Sequence, residues 1–493
     1  MLSKQEYRNK VLGCWLGKNI GGTLGAPMEW RRQVNNVTFY TQELGGNPLP
    51  NDDLDIQLLW LIMLEEKGIN PDSALMAEYW QHFVAPYWAE YGNAKVNLQA
   101  GIKPPYSGIR NNPYKDSCGA FIRSEIWACI APGNPHLAAK YAYDDASIDH
   151  GDGEGMYAEI FCATMQSAAF VEKDPKTLIN IGLSYIPEDC AIAGAVRLAV
   201  ELYEKKVPWL DARYKMLEAY RGSCFFGYLD MCSQDDIARG LADGKMGYDA
   251  PSNIGILVIG LLYGEGDFDK SLCITINCGE DTDCTGATVG ALFGIIHGAD
   301  AIPEKWITPI GRGIKTGCLN SGDLGYFGDQ LPQTIDELTD RTERIYEKVT
   351  AMNAAPPECL YYDKHSLPQV FAPASRHSFP MFDINVEYLT GANRAPGESA
   401  KLRITIKNKY RIQASLSINW YTPDGWQVGP APALKAYVGQ GHWTNDNSVT
   451  LDFSLTELDY AAPNPSNRFV MEITVDGRAT VMLVPVLLLT ECR

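Results

Sequence analysis

The chain has 493 residues and is acidic, with 42 Lys and Arg against 60 Asp and Glu and a formal net charge of -18. That balance excludes nonspecific binding to a nucleic-acid backbone, which needs concentrated positive charge. It leaves room for a nucleotide-derived ligand whose phosphates a divalent cation offsets.

In chain order, the N-terminus reads as a polar helix running into Val11-Leu12-Gly13. No basic segment followed by a long apolar run and cleavage site opens the chain, so the cytoplasm is the expected compartment. Ile56–Glu66 predicts an apolar helix, with Asp52 or Asp53 at its favourable N-terminal end. Further helices are expected over Cys118–Ile130, Met156–Val171, Cys190–Lys205 and Ser252–Leu262, and the small residues of Thr285–His297 suit a central helix that others approach closely. The apolar runs Ile254–Tyr263 and Val481–Leu489 are too short to span a membrane. The 13 cysteines lack the CxxC spacing of a zinc site and are expected as buried, reduced thiols.

Residues 1–352 thus predict one helical domain. Composition changes at Asn353-Ala354-Ala355-Pro356-Pro357, and residues 353–369 read as a linker. Strand patterns follow at Lys401–Ile406, Ala414–Trp420, Ser448–Phe453, Phe469–Val475 and Ala479–Leu489, with Asp424-Gly425 and Asp476-Gly477 as turns. Residues 370–493 are expected to form a small β-sandwich. Its Trp420, Tyr421, Trp426 and Trp443 could make a sugar-stacking surface, but a packing role is the expectation.

Two acidic clusters, Asn51-Asp52-Asp53-Leu54-Asp55 and Glu280-Asp281-Thr282-Asp283-Cys284, each sit where a loop enters a helix. Helical spacing puts Asp52 and Asp55 on one face with Asp53 pointing elsewhere, and an extended segment would send Asp281 and Asp283 to one side. Crowded carboxylates repel and are costly to bury, and a hard divalent cation such as Mg²⁺ removes that cost. Either cluster alone is also what a solvated helix cap looks like. Asp149, His150, Asp152 and Glu154 form another polar group around Gly151, Gly153 and Gly155. His150 could polarise a hydroxyl or orient Glu154, and Asp149 could exchange roles with Asp152. Arg123 either fixes a ligand or buttresses an acid, Glu29 organises the first loop, and Tyr248 and Phe121 offer a stacking wall or simple core packing.

Taken together, these segments resemble the ADP-ribosylglycohydrolase family across roughly residues 8–350. The resemblance runs through Gly13-Cys14-Trp15-Leu16-Gly17-Lys18, Gly25-Ala26-Pro27-Met28-Glu29, Asn51-Asp52-Asp53, Cys118-Gly119-Ala120-Phe121-Ile122-Arg123 and His150-Gly151-Asp152-Gly153-Glu154-Gly155. Its most specific part is Asn277-Cys278-Gly279-Glu280-Asp281-Thr282-Asp283-Cys284. The resemblance implies an all-helical catalytic domain with a two-Mg²⁺ centre held by Asp52, Asp53, Asp281 and Asp283. Asn51 and Cys284 stand where the family has hydroxyl residues and complete the expected metal set. Leu54 also replaces a hydroxyl residue, and a neutral thiol is a poor Mg²⁺ ligand. The implied activity is Mg²⁺-dependent hydrolysis of an N- or O-glycosidic bond to ADP-ribose or a related ribofuranose. The implied partner is a ribosyl or furanosyl small molecule, or an ADP-ribosylated protein. Asp281, Glu154 and His150 are the expected catalytic residues, and Glu29, Arg123, Asp149, Asp152 and Tyr248 the expected substrate contacts. A divergent glycoside hydrolase for another furanoside, and a noncatalytic binding or structural protein on the same scaffold, are the alternatives.

Overall fold

Glycines spaced four apart bring two long helices backbone to backbone. The Lys4–Gly25 helix, capped by the Ser3 hydroxyl on the Glu6 N–H, runs antiparallel to the Thr282–His297 helix. A Cβ on Gly17 would sit 2.0 Å from the carbonyl oxygen of Gly290, and one on Gly21 would sit 2.1 Å from that of Gly286. One on Gly294 would sit 2.0 Å from the oxygen of Gly13. A four-residue period keeps these positions on one helical ridge, so the whole contact lacks side chains. The Thr282 hydroxyl closes it by donating to the Gly25 carbonyl at 2.8 Å. The end of the first helix is thereby fixed against the start of the second.

The computed structural model describes residues 2–222, 231–244, 247–320, 328–353, 356–363, 374–391, 393–395, 397–441, 447–459, 461 and 466–490. It divides into two units, Met1–Pro368 and Gln369–Arg493. Trp443, and residues 354, 355 and 364–369 of the expected linker, lie outside the described residues.

The first unit is all-helical. The Ala250–Tyr263 and Phe268–Asn277 helices pack on the second central helix, and Ile335–Met352 packs on the first. The helix expected over Cys118–Ile130 is broken into a 3-10 turn at Phe121–Arg123 and a short helix at Glu125–Ile130. Side chains claim the backbone there: the Gly119 carbonyl accepts from Arg123 at 2.6 Å, and the Ile122 carbonyl from Lys18 at 2.6 Å. Beyond the last helix the chain folds back, with Tyr185 donating to the Leu360 carbonyl and the Tyr362 N–H to the Ser184 hydroxyl, both at 3.0 Å. Among the described residues no helix is long and apolar enough to cross a membrane, and the described cysteines are free thiols.

The second unit is a β-sandwich of two five-stranded sheets. Its strands are β1 (Ala374–Ser378), β2 (Phe382–Tyr388), β3 (Asn393–Arg394), β4 (Ala400–Asn408), β5 (Ala414–Tyr421), β6 (Trp426–Gly429), β7 (Ala433–Val438), β8 (Ser448–Glu457), β9 (Ser466–Val475) and β10 (Val481–Thr490). The sheet orders are β1-β2-β4-β8-β6 and β3-β10-β9-β5-β7. Pairing is antiparallel apart from the parallel β3–β10 contact. Alternation along β4 buries Leu402, Ile404 and Ile406, as period-two patterning requires. Trp420 packs edge-on against Phe453 and Trp426 against Phe469. Both are core residues and offer no sugar platform.

Candidate active site and metal centre

Two tight backbone arrangements aim the acidic motifs at each other. Asn51 caps the Asp52–Lys67 helix, its side-chain oxygen accepting the Asp53 N–H at 2.8 Å. At the second motif, Gly279 and Glu280 both adopt left-handed conformations, with φ of 76° and 66°. Arg32 grips the Glu280 carboxylate through two bonds of 2.7 and 3.0 Å, and the Gly247 N–H adds a third at 2.9 Å. The Asn253 side chain accepts the Asp281 N–H at 3.1 Å. With the backbone pinned this way, the Asp283 side chain meets Asp53 of the first motif, and Asp281 joins Asp283 and Glu29.

One carboxylate is common to two groups. Ligand atoms of Asp53, Asp283 and Cys284 lie within 4.8 Å of one another, and so do those of Glu29, Asp281 and Asp283. Asp53, Asp281 and Asp283 are 1%, 2% and 5% exposed. Both oxygens of Asp53 and one each of Asp281 and Asp283 lack a hydrogen bond. Burial, reinforced by neighbouring carboxylates, raises Glu29 to about 10, Asp52 to about 7 and Asp283 to about 6, and lifts Asp281 well above its ordinary value. Asp53 rises to about 7 through burial although Lys18 opposes the shift. The Lys18 ammonium lies 3.3 Å from Asp53 and 3.1 Å from Glu125. A single ammonium leaves most of this negative charge unbalanced. The oxygen-rich donor set fits divalent cations, because such ions relieve buried carboxylate repulsion without a proton. Burial also pushes the Cys284 thiol up, so it enters this set as a neutral group.

The phase of the first helix differs from the face-sharing expectation. Asp53 meets the second motif, while Asp55 turns away to accept the Gly317 and Cys318 N–H groups at 2.6 and 2.7 Å. Asp52 is half-buried on a cavity of about 280 Å³ and accepts from the Tyr91 hydroxyl at 3.1 Å. Asn51 spends its side-chain oxygen on the helix cap. Glu29, expected to organise a loop and touch substrate, instead joins the carboxylate cluster, carried there by the end of the first central helix.

Five expected site residues lie elsewhere. Arg123, Asp149 and His150 are fully buried. Arg123 binds Asp145 at 2.8 Å and both oxygens of Asp149 at 3.0 and 2.7 Å. His150 spans Asp149, at 2.8 Å, and Ser117, at 3.0 Å. Burial alone would raise the Asp149 carboxyl, but Arg123 and His150 together hold it well below the usual range. These three form an internal buttress and do not line the cavity. Asp152 pairs with Lys115 at 2.9 Å in a partly exposed contact. Glu154 sits at the start of the Ala191–Glu204 helix, taking the N–H groups of Ala191 and Ile192 at 2.9 Å each, and does not line the cavity.

Tyr248 does line the cavity, as does Cys118 of the Cys118–Arg123 segment, together with residues that had no motif to mark them: Trp30, Trp88 and Glu90. Glu90 is 7% exposed, one of its oxygens has no hydrogen bond, and burial raises its pKa. Its only sequence signal was an acidic residue between aromatics.

An uncharacterized protein of Archaeoglobus fulgidus is 21% identical over 322 residues, covering 62% of this chain and 91% of its own length. Two solved structures cover less. A FixG-related protein from Vibrio parahaemolyticus matches 23% of this chain and 100% of its own at 8% identity, with a TM-score of 0.19. The GAE domain of GGA2p from Saccharomyces cerevisiae matches 24% of this chain and 96% of its own at 11% identity, with a TM-score of 0.16. Scores that low carry no argument. The ADP-ribosylglycohydrolase family model matches residues 3–348, and the chain belongs to the ADP-ribosylglycohydrolase family.

Proposed function

We propose that this protein is a Mg²⁺-dependent hydrolase that cleaves an N- or O-glycosidic bond to ADP-ribose or a related ribofuranose-containing substrate. The observation that supports this most is the sharing of Asp283 between the Asp53–Cys284 group and the Glu29–Asp281 group at a cavity of small-ligand size. Those residues would hold two cations, which when bound supply charge to orient sugar hydroxyls and to lower the pKa of a water. Tyr91 fixes Asp52 by hydrogen bonding it. Glu90, facing the cavity with an unpartnered oxygen, is the group placed to accept the proton of the attacking water. Tyr248 and Ile122 supply apolar wall. A small ribosyl compound would bind in this cavity, and a modified side chain of an ADP-ribosylated protein would enter the same way.

The test is product release, followed by mass spectrometry, from a panel of ADP-ribosyl adducts, ribonucleosides and simple furanosides with Mg²⁺ or chelator. Cleavage should require the cation and disappear in Asp281→Asn, with the far-ultraviolet dichroism unchanged. Turnover that survives chelation or that substitution would sink the reading.

A further inference from the structure

Two glycines clear space for the ends of one buried polar chain. A Cβ on Gly119 would sit 2.0 Å from the Oε1 of Glu90, and one on Gly155 would sit 2.0 Å from the Cδ2 of His150. Ser117 joins these two ends. Its hydroxyl lies 3.0 Å from the His150 Nε2, and the His150 Nδ1 lies 2.8 Å from Asp149. The same hydroxyl hydrogen-bonds the Glu90 carboxyl group, where burial raises the pKa and His150 and Ser117 oppose the rise. The Ser117 backbone is fixed, its N–H donating to the Tyr114 carbonyl at 2.9 Å and the Cys118 N–H to the Tyr248 carbonyl at 3.0 Å.

Asp149, His150 and Ser117 meet in the order of a serine-hydrolase triad. Burial rules out that use. Ser117 is 1% exposed and His150 0%, and neither lines the cavity. Glu90 does line it, with one oxygen that has no hydrogen bond. Ser117 therefore faces a carboxyl group where a nucleophilic serine would face a substrate.

The proton positions follow from charge. Against the effect of burial, Arg123 and His150 hold the Asp149 carboxyl well below the usual range. An ionised carboxylate only accepts, so the Nδ1 of His150 carries a proton and its Nε2 is open to the Ser117 hydroxyl. Asp145 and Asp149 both pair with the one guanidinium of Arg123. Burial lifts Glu159 well above its ordinary value, so it keeps its proton and adds no charge. Two carboxylates against one guanidinium leave a negative charge that an imidazolium at His150 would balance.

We infer that Ser117 and His150 form a proton relay behind Glu90, in which the proton taken from the attacking water passes through the Ser117 hydroxyl and is held on the His150 Nε2. In the first step the water oxygen bonds the anomeric carbon, the glycosidic electron pair leaves with the departing group, and the water proton goes to Glu90. In the second, Glu90 passes its proton to the Ser117 oxygen as the Ser117 proton moves to Nε2. The hydroxyl is regenerated and Glu90 is again a carboxylate. The reverse transfer returns the proton through Glu90 to the departed group or to solvent. This rests on Glu90 as the proton acceptor of the hydrolase reading above and names the residues that act through it.

The experiment measures single-turnover rates of the full chain with Mg²⁺ on ADP-ribosyl-arginine or, where that is not cleaved, an aryl ribofuranoside. Ser117→Ala should slow the rate by roughly ten-fold to a hundred-fold, at or below the contribution of a positioned base, with substrate and Mg²⁺ affinities unchanged. The native rate should fall with the deuterium fraction of the solvent along a curve, as two protons in flight require, and the Ser117→Ala rate along a straight line. A native rate in Ser117→Ala, or a straight line for the native protein, overturns the inference and leaves the hydrolase reading intact. If neither compound is cleaved, the hydrolase reading falls, and nitrogen NMR of the imidazoles still decides the relay. Glu90→Gln should move the His150 Nε2 resonance, and the movement should vanish once Ser117→Ala is added, because it travels through the hydroxyl. A resonance that stays in place, or that moves equally without the hydroxyl, overturns the inference. Should Ser117→Ala fail to fold, the native deuterium dependence and the Glu90→Gln shift decide it.

Discussion

Gly17 faces the carbonyl oxygen of Gly290 so closely that a methyl group on Gly17 would lie 2.0 Å from it. Backbone oxygen cannot step aside as a side-chain tip can, so the contact sets the spacing of two helices whose ends carry Glu29, Asp281 and Asp283. Gly17→Ala should cost about 3 kcal/mol, the upper part of the overpacking range. It should also weaken Mg²⁺ binding, although the residue touches no carboxylate. Urea denaturation and titration calorimetry check this, and a variant with normal stability and normal Mg²⁺ binding would refute it.

The Arg123–Asp149 pair is structural. Asp149→Asn leaves a buried guanidinium short of its counter-charge and should destabilise the helical unit by roughly 3 kcal/mol or more. The native Asp149 carboxyl is held below its unfolded value despite burial, by Arg123 and His150. Its contribution is therefore present above the unfolded carboxylate range and is lost as pH falls through the folded value. The stability gap between native and variant protein should be full at neutral pH and shrink only in strong acid. Denaturation curves across that range would show it.

Glu154 and Glu90 separate by role. Glu154→Gln disturbs a helix cap and should cost about 1 kcal/mol, with kcat within a few-fold of native. Glu90→Gln should lower kcat by roughly a hundred-fold while Mg²⁺ still binds. A reversed ranking in steady-state kinetics would move the proton acceptor to Glu154.

Metal removal should make stability fall as pH rises. Glu29, Asp52 and Asp53 have folded pKa values of about 10, 7 and 7, raised chiefly by burial. The folded metal-free protein thus keeps protons that the unfolded chain releases above about pH 4, and stability declines from there through about pH 7 for the aspartates and on to about pH 10 for Glu29. Mg²⁺ bound there would displace those protons, so its stabilising effect should grow with pH. Thermal melts with Mg²⁺ and with chelator between mildly acid and mildly alkaline pH measure the gap. A gap that stays constant would contradict the buried-carboxylate account.

As a ligand, Cys284 would weaken the hold of this cluster on a hard cation, since a thiol prefers softer metals. Cys284→Ser should tighten Mg²⁺ about ten-fold and loosen Cd²⁺, by competition calorimetry. Unchanged affinities would place the thiol outside the coordination shell.

The amino-acid order alone determined the change from helix to strand, because a period-two run such as Lys401–Ile406 has no helical counterpart, and it marked both acidic motifs because their residues are consecutive. It did not determine which acids face each other. Asp53 rather than Asp55 meets Asp283 because the phase of the Asp52–Lys67 helix is set by packing and by the Asn51 cap. Glu29 joins the cluster because side-chain-free glycine contacts draw two distant helices together. His150, Arg123 and Glu154 turn away because buried partners and a helix start claim their polar atoms first. Trp30 reaches the cavity through a left-handed turn held by Glu280 and Gly247, far off in the chain, and Trp88 and Glu90 from the start of the Ala89–Gln99 helix. Local sequence encodes what a segment can form, but the direction of a side chain at a junction follows from the long-range contacts that satisfy it, and those exist only once the chain is packed.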